Sequence, residues 1–224
     1  MELNILLLGK YDYKESLDLQ FKLLKYRQEE KINDTLILVE HPHVITLGKN
    51  AHKENIIASK DYLEKQGVDV VEINRGGDVT YHGPGQLVGY PIINIKEKKM
   101  GIKDFVNHLE EVFIKFLKEK HNIDAVRDDI NNGVWVGSDK VTALGLAVKR
   151  WVTMHGFAFN IATDLKYFNL IVPCGIQGRG VTTVEKLIGE KLDFEEESQE
   201  LLKYFIDEFG YTSTKQVSLE DLEV

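Results

Sequence analysis

The 224-residue sequence is short of several things, and each shortage removes a class of protein. It has one cysteine, Cys174, so no internal disulfide can form; this suits a reducing compartment and leaves the thiol free for chemistry. It has four prolines, at 42, 84, 91 and 173, and no Pro/Ser-rich linker, repeat or low-complexity run. A split would also leave each half short of core, so a single domain over 1–224 is expected. No apolar stretch is long enough to span a bilayer, and the opening MELNILLLGKYDYK lacks both a basic lead and a small-residue cleavage site. The expectation is a cytoplasmic protein, neither exported nor membrane-inserted.

Positive charge is scarce only locally. The net charge is -8, yet from Glu190 onward eleven acids face three bases, while 25 acids and 25 bases upstream cancel. The body can therefore still offer a basic patch to an acidic partner, with Lys96, Lys98, Lys99, Lys103, Lys149 and Arg150 as candidates. Solvated lysines on a loop and a strand end would give the same pattern. Nothing in the charge pattern points to a nucleic-acid reader.

What is present is ordinary for a packed protein: 43% hydrophobic and 29% charged residues. Residues 3–8 and 35–40 read as buried strands, and Leu17, Phe21 and Leu24 fall between them at helical spacing. Phe105, Leu109, Val112, Phe113, Phe116 and Leu117 form one apolar stripe of a core-facing helix. Leu201, Leu202, Phe205 and Phe209 mark another after the acidic EEES. VDVVEIN, QLVGYPIIN, NGVWVGS, KVTALGLAV and MHGFAFNI are short β-rich runs separated by Gly, Asp and Asn. Together these predict an α+β fold, a mixed β-sheet with packed helices.

Three segments carry candidate chemistry. In RGGDVTYHGPGQ, Arg75 to Gln86, four glycines would let the backbone approach a ligand and Arg75 would supply a fixed cation. A tight hairpin needing positive φ explains the glycines alone, but not the interleaved Arg, Tyr, His and Gln. In Lys140 to Ile161, Ala143, Gly145 and Ala147, then Gly156 and Ala158, put small side chains on one face of each of two strands. Small residues on facing strands would leave a slot that admits a linear apolar chain, each buried methylene contributing about 0.8 kcal/mol. In Pro173 to Val184 the cysteine sits in a turn-rich loop, a setting in which a thiol can be exposed and reactive. A thiol at pH 7 needs a base or cation beside it. Lys140, if desolvated beneath the sheet, His82 and His155 all qualify, and spacing does not rank them.

RGGDVTYHGPGQ, KVTALG, MHGFAFN and PCGI, in this order and spacing, resemble the lipoyl(octanoyl) transferase family of the biotin/lipoate protein ligase superfamily. The resemblance covers most of the chain, with the motif core at about 30–190; the acidic segment 190–224 is not diagnostic. It implies a biotin/lipoate ligase-like catalytic domain in which Cys174 takes an octanoyl group from octanoyl-acyl-carrier protein as a thioester, with Lys140 as its partner in a Cys/Lys dyad. The acyl group would then pass to a lysine of lipoyl domains, in the E2 subunits of 2-oxoacid dehydrogenases or the glycine-cleavage H protein, as the first step of lipoate assembly. Substrate contacts carry over to Arg75, Gly76, Gly77, Asp78, Val79, Thr80, Tyr81 and His82, to Ala143, Leu144 and Gly145, and to Gly156, Phe157 and Ala158. Because a thioester is already activated, no metal, nucleotide or other cofactor is expected, and the chain is expected to act as a monomer without nucleic acid or membrane.

Backbone N–H groups around Cys174 and Gly76 to Gly77 would hold the oxyanion. The acidic carrier would dock near Lys149 and Arg150. Three rivals share these features: an ATP-dependent lipoate or biotin ligase, which needs no cysteine; a Cys/His thioester hydrolase; and a module that binds carrier or lipoyl domain without turnover.

Overall fold

The structure, a computed structural model, describes residues 1–73, 75–128, 131–172 and 179–222. The chain opens with β1 (Glu2–Lys10), α1 (Tyr13–Gln28) and β2 (Asp34–Glu40), the strand, helix, strand order predicted from the apolar runs. Asp12 caps α1, its Oδ1 accepting the N–H of Lys14 at 2.8 Å and of Glu15 at 3.0 Å. Next come β3 (Val44–Leu47), α2 (Lys60–Lys65), β4 (Asp69–Glu72), β5 (Val79–His82) and β6 (Gln86–Ile92). The long helix α3 (Ile102–His121) is followed by β7 (Val126–Arg127), β8 (Gly133–Val136), β9 (Asp139–Lys149) and β10 (Val152–Asn160). The chain closes with β11 (Gly180–Val181), α4 (Val184–Ile188), α5 (Phe194–Glu208) and β12 (Ser213–Val217).

Among the described residues, nine strands form one mixed sheet in the order β12-β1-β2-β6-β10-β9-β8-β7, with β11 paired to β9; β4-β3-β5 make a second, small sheet. Strands β1, β2 and β12 run parallel, and β2, β6, β10, β9 and β8 alternate in direction. The fold is thus a mixed sheet with packed helices. One face of the large sheet is covered by α3 and α5, where the Phe105 to Leu117 stripe, Leu201, Phe205 and Phe209 are buried against Leu36, Leu38, Leu87, Phe157 and Phe159. The other face packs on α1 through Leu23, Leu24, Ile37, Val39, Val88 and Ala158. Phe21, expected on the apolar side of α1, is exposed, and its ring lies 4.7 Å from the Lys149 ammonium instead.

The acidic C-terminal segment is built into this architecture. Glu197 on α5 pairs with Lys120 at 2.9 Å and His121 at 2.8 Å, and Glu208 with Lys115 and His108, both at 2.6 Å. Its acids thus meet the bases of α3, and β12 then joins the edge of the large sheet beside β1. Among the described residues no helix is long and apolar enough to cross a membrane.

Candidate active site

The glycine-rich block is stitched to the segment after β3 by backbone bonds. Gly48 N–H donates to Asp78 O at 3.1 Å, Lys49 N–H to Arg75 O at 3.1 Å and Asn50 N–H to Gly77 O at 3.2 Å. A Cβ on Gly48 would stand 2.4 Å from Gly77 O, so only glycine allows the two backbones to close. Arg75 is buried here. Its Nη2 donates to Thr46 O and Thr46 Oγ1, both at 3.0 Å, and its Nη1 to Gly76 O at 2.9 Å. One expectation needs correction: Gly76 N–H donates to Leu146 O at 3.3 Å, so its donor is engaged rather than held ready for an oxyanion.

The small residues of β9 and β10 lie side by side in one sheet. Ala143 is the register partner of Ala158, and Gly145 of Gly156. The slot therefore does not run between facing strands, as the alternation suggested; its floor is the sheet and its roof is the glycine-rich block with β5. This slot is lined by Arg75, Gly77, Asp78, Val79, Thr80, His82, Lys140, Ala143, Leu144, Gly145, Gly156, Phe157 and Ala158 among the predicted residues, together with Tyr13, Val88, Tyr90 and His155. Gly156 serves packing as well, since a Cβ there would sit 2.0 Å from Gly89 O on β6. Gly76 instead lines a wider neighbouring cleft with Asn50, Asn55, Ile102 and Asn132. The slot and the cleft share Gly77, Asp78, Lys140, Leu144 and Gly145.

Lys140 stands at that shared boundary, 7% exposed despite being a lysine. Its Nζ donates to Asn132 O at 3.0 Å and lies 4.7 Å from the Trp135 ring centroid. Strict alternation along β9 would turn Lys140 away from Ala143 and Gly145. The register against β8 explains why it does not: Val134 pairs with Thr142 but Trp135 with Lys140, so the Val141–Thr142 step holds one extra residue. This β-bulge shifts the phase and brings the lysine to the slot. Gly133 makes room for it, because a Cβ there would lie 3.2 Å from Lys140 Cε. Behind it, buried Glu110 on α3 accepts Gly133 N–H at 2.8 Å; burial raises its carboxyl pKa, opposed by that bond and by the charges of Arg127 and Lys140.

The edge of β9 at Asp139 and Lys140 is taken by β11, with Val181 the register partner of Lys140. The chain reaches this point from Val172, whose N–H donates to Asn55 O at 2.7 Å on the cleft wall. Between them, Cys174 lies outside the described residues.

The histidines separate from Lys140 on electrostatic grounds. His82 donates through Nδ1 to Gln86 Oε1 at 2.8 Å, and burial pushes its pKa down to about 3, with His41 and Arg75 adding to the shift. Burial and then Arg75 push His155 down to about 4. Both are neutral, weakly basic rings at pH 7. His155 also has an unusual backbone for a strand residue, φ +57°, and among the described residues its buried Nε2 has no hydrogen-bond partner.

Of the predicted contacts, Tyr81 turns away from the slot. It is fully buried in the core of the small sheet, hydrogen-bonded to His43 at 2.6 Å and stacked on Tyr167. Tyr13 and Tyr90 were missed because each reads as a core residue of an apolar element, with no spacing that sets it apart. The basic candidates also resolve: Lys98 donates to Phe209 O at 2.8 Å and covers the Tyr211 ring, while Lys149 and Arg150 end the hairpin nine residues along β9 from Lys140, roughly 30 Å at strand rise. Among the described residues no cluster of His, Cys, Asp and Glu could hold a metal ion.

Comparison with known proteins gives a consistent result. The family model described as lipoyl protein ligase A/B catalytic domain matches residues 12–206. An octanoyltransferase of Alkaliphilus metalliredigens (strain QYMF) is 53% identical over 211 residues, 94% of this chain and 97% of that protein. One of Caldicellulosiruptor saccharolyticus is 50% identical over 224 residues, covering 100% and 95%. Among solved structures, a lipoate-protein ligase A bound with ATP superposes with a TM-score of 0.78 at 18% identity, covering 97% of this chain and 89% of that one. A bipartite lipoate protein ligase from Thermoplasma acidophilum, studied with its E2 lipoyl domain, gives 0.75 at 17%, covering 97% and 87%. With the model spanning most of its length and relatives alike at every second residue, this chain belongs to the lipoyl protein ligase A/B catalytic-domain family.

Proposed function

We propose that this acyltransferase moves an octanoyl group from octanoyl-acyl-carrier protein to a lysine of a lipoyl domain, through a thioester on Cys174, as the first step of lipoate assembly. The observation that carries the reading is the buried amine of Lys140 at the boundary between an apolar slot and a polar cleft. The slot fits the acyl chain; the cleft fits the carrier's thiol arm and then the acceptor lysine. Names of relatives at 47–53% identity support octanoyl as the group transferred.

In this mechanism Lys140 Nζ takes the Cys174 thiol proton and the thiolate attacks the acyl carbonyl carbon. The carbon–sulfur bond to the carrier breaks, and the departing thiolate takes the proton back from Lys140. The acceptor amine then attacks the acyl-enzyme, Lys140 takes the proton that the attacking nitrogen loses, an amide forms, and Cys174 leaves as thiolate and recovers that proton from Lys140. The described residues on either side support the pairing: Val172 is tied to Asn55 on the cleft, and Val181 is the register partner of Lys140. With the Gly76 N–H engaged, Gly77, which lines both slot and cleft, supplies the oxyanion donor of this block together with backbone N–H groups around Cys174. The acceptors are lipoyl domains of 2-oxoacid dehydrogenase E2 subunits and glycine-cleavage H protein, and the enzyme acts as a cytoplasmic monomer.

Intact mass spectrometry of the protein mixed with octanoyl-carrier protein tests the reading. An octanoyl adduct that is absent in Cys174→Ala, and that moves to a lipoyl domain when one is added, is the expected result. Modification by Cys174→Ala that depends on ATP would establish a ligase instead, and free octanoate as the product a hydrolase.

A further inference from the structure

The slot has a mouth and a closed end, and the two are distinguished by what they share with the cleft. Gly77, Asp78, Lys140, Leu144 and Gly145 line both spaces, so the opening lies at β9. Tyr13, His82, Val88, Tyr90 and Ala158 line the slot alone and are buried. From β9 the slot crosses β10 to reach β6, two strand spacings or about 10 Å. A linear chain entering past Lys140 lies over Ala143, then Ala158 and Val88, and meets Tyr90.

Tyr90 is not free to swing aside. Its hydroxyl donates to His41 Nε2 at 2.7 Å, and His41 Nδ1 in turn donates to the Tyr11 carbonyl at 2.8 Å. Tyr13 closes the wall beside it, its ring stacked on His82 at 5.7 Å between centroids and edge-on to His41 at 5.1 Å. A chain end that reaches a clamped aromatic wall meets repulsion rather than a softer pocket, which is what length discrimination requires; an open apolar pocket separates neighbouring chain lengths only weakly.

We propose that Tyr90 is the chain-length stop of the acyl slot. The inference rests on the acyl-transfer reading above and adds the residue that sets the substrate. Hexanoyl-, octanoyl-, decanoyl- and dodecanoyl-carrier proteins are offered to the full-length protein, and the acceptor domain is weighed after reaction. Tyr90→Leu raises the decanoyl-to-octanoyl ratio of kcat/KM at least about tenfold. Tyr90→Phe, which keeps the ring and loses only the hydroxyl, retains the wild-type ratio. Ala158→Leu, which raises the floor midway, moves the preference toward hexanoyl and decides the matter alone if Tyr90→Leu does not fold. Leu variants at 90 and 158 that transfer octanoate with wild-type ratios overturn the stop. A wild-type protein that transfers no acyl group of any length overturns the transfer reading itself, and the stop falls with it.

Discussion

The side-chain oxygen of Gln20 on α1 accepts the backbone N–H of His155 on β10 at 2.9 Å, joining residues 135 apart in sequence. The left-handed backbone of His155 interrupts the ladder, for β10 pairs with β6 only from Phe157 onward. Gln20 supplies the acceptor that the neighbouring strand does not. Its replacement by leucine keeps the volume but leaves a buried donor unsatisfied, at a cost of about 1–3 kcal/mol. Urea unfolding of Gln20→Leu measures this, and unchanged stability would show that the bond contributes nothing net.

Three buried histidines predict how stability follows pH. His41 and His155 are held near pKa 4 and His82 near 3, chiefly by burial, against about 6.5 in an unfolded chain. Each is depressed on folding, so below pH 6.5 the unfolded state binds protons that the folded state refuses. Stability is therefore full above about pH 6.5 and falls until the folded rings titrate near pH 4 to 3, by up to roughly 1.4 kcal/mol per pH unit for each ring. Denaturant titrations at pH 7, 6 and 5 should show this slope. His155→Asn, a residue that tolerates positive φ, should lower it by one proton; an equal slope in the variant would mean that His155 is not among the groups responsible.

Glu110 acts on the proposed base from behind. A carboxylate near Lys140 favours the ammonium form, so Glu110→Gln, which can still accept Gly133 N–H through its amide oxygen, should ease loss of that proton. The acid limb of the pH–rate profile for transfer should then move to lower pH. A limb that stays in place, or moves upward, would separate Glu110 from the chemistry.

Carrier docking is expected at the mouth of the cleft and not at the hairpin end. Lys49 and Lys103 are exposed and adjoin the cleft residues Asn50 and Ile102, whereas Lys149 and Arg150 sit at the far end of β9. Lys49→Glu with Lys103→Glu should raise KM for the carrier-borne substrate several-fold and flatten its salt dependence, while Lys149→Glu with Arg150→Glu should leave both nearly unchanged. Equal effects from the two pairs would remove the distinction.

How much of this was legible beforehand depended on whether the signal was local. The α3 stripe follows from side-chain period because that helix buries one continuous face, whereas β1, β2 and β6 show as apolar runs because helices cover both faces of the sheet. The glycine block and the small residues of β9 and β10 are visible as composition, and they do line one cavity. What periodicity cannot express is a change of phase. The bulge in β9 and the left-handed turn at His155 each alter which side a residue faces without altering the residue types around it. Long-range pairings such as β12 on β1 and β11 on β9 were equally silent, since short polar strands carry no apolar alternation. Tyr90 stayed hidden for a related reason: the end wall of a binding slot and the packing of a core are made of the same side chains.

The extra residue at Val141–Thr142 makes the length of β9 a chemical variable. Before it Lys140 and beyond it Ala143 and Gly145 line one slot, while Val141 at the offset itself is buried against the helices on the opposite face. Deleting that one residue would keep every other side chain and still send the amine to the opposite side of the sheet, so the strand behaves like a vernier whose single offset division sets which face the Lys140 amine takes.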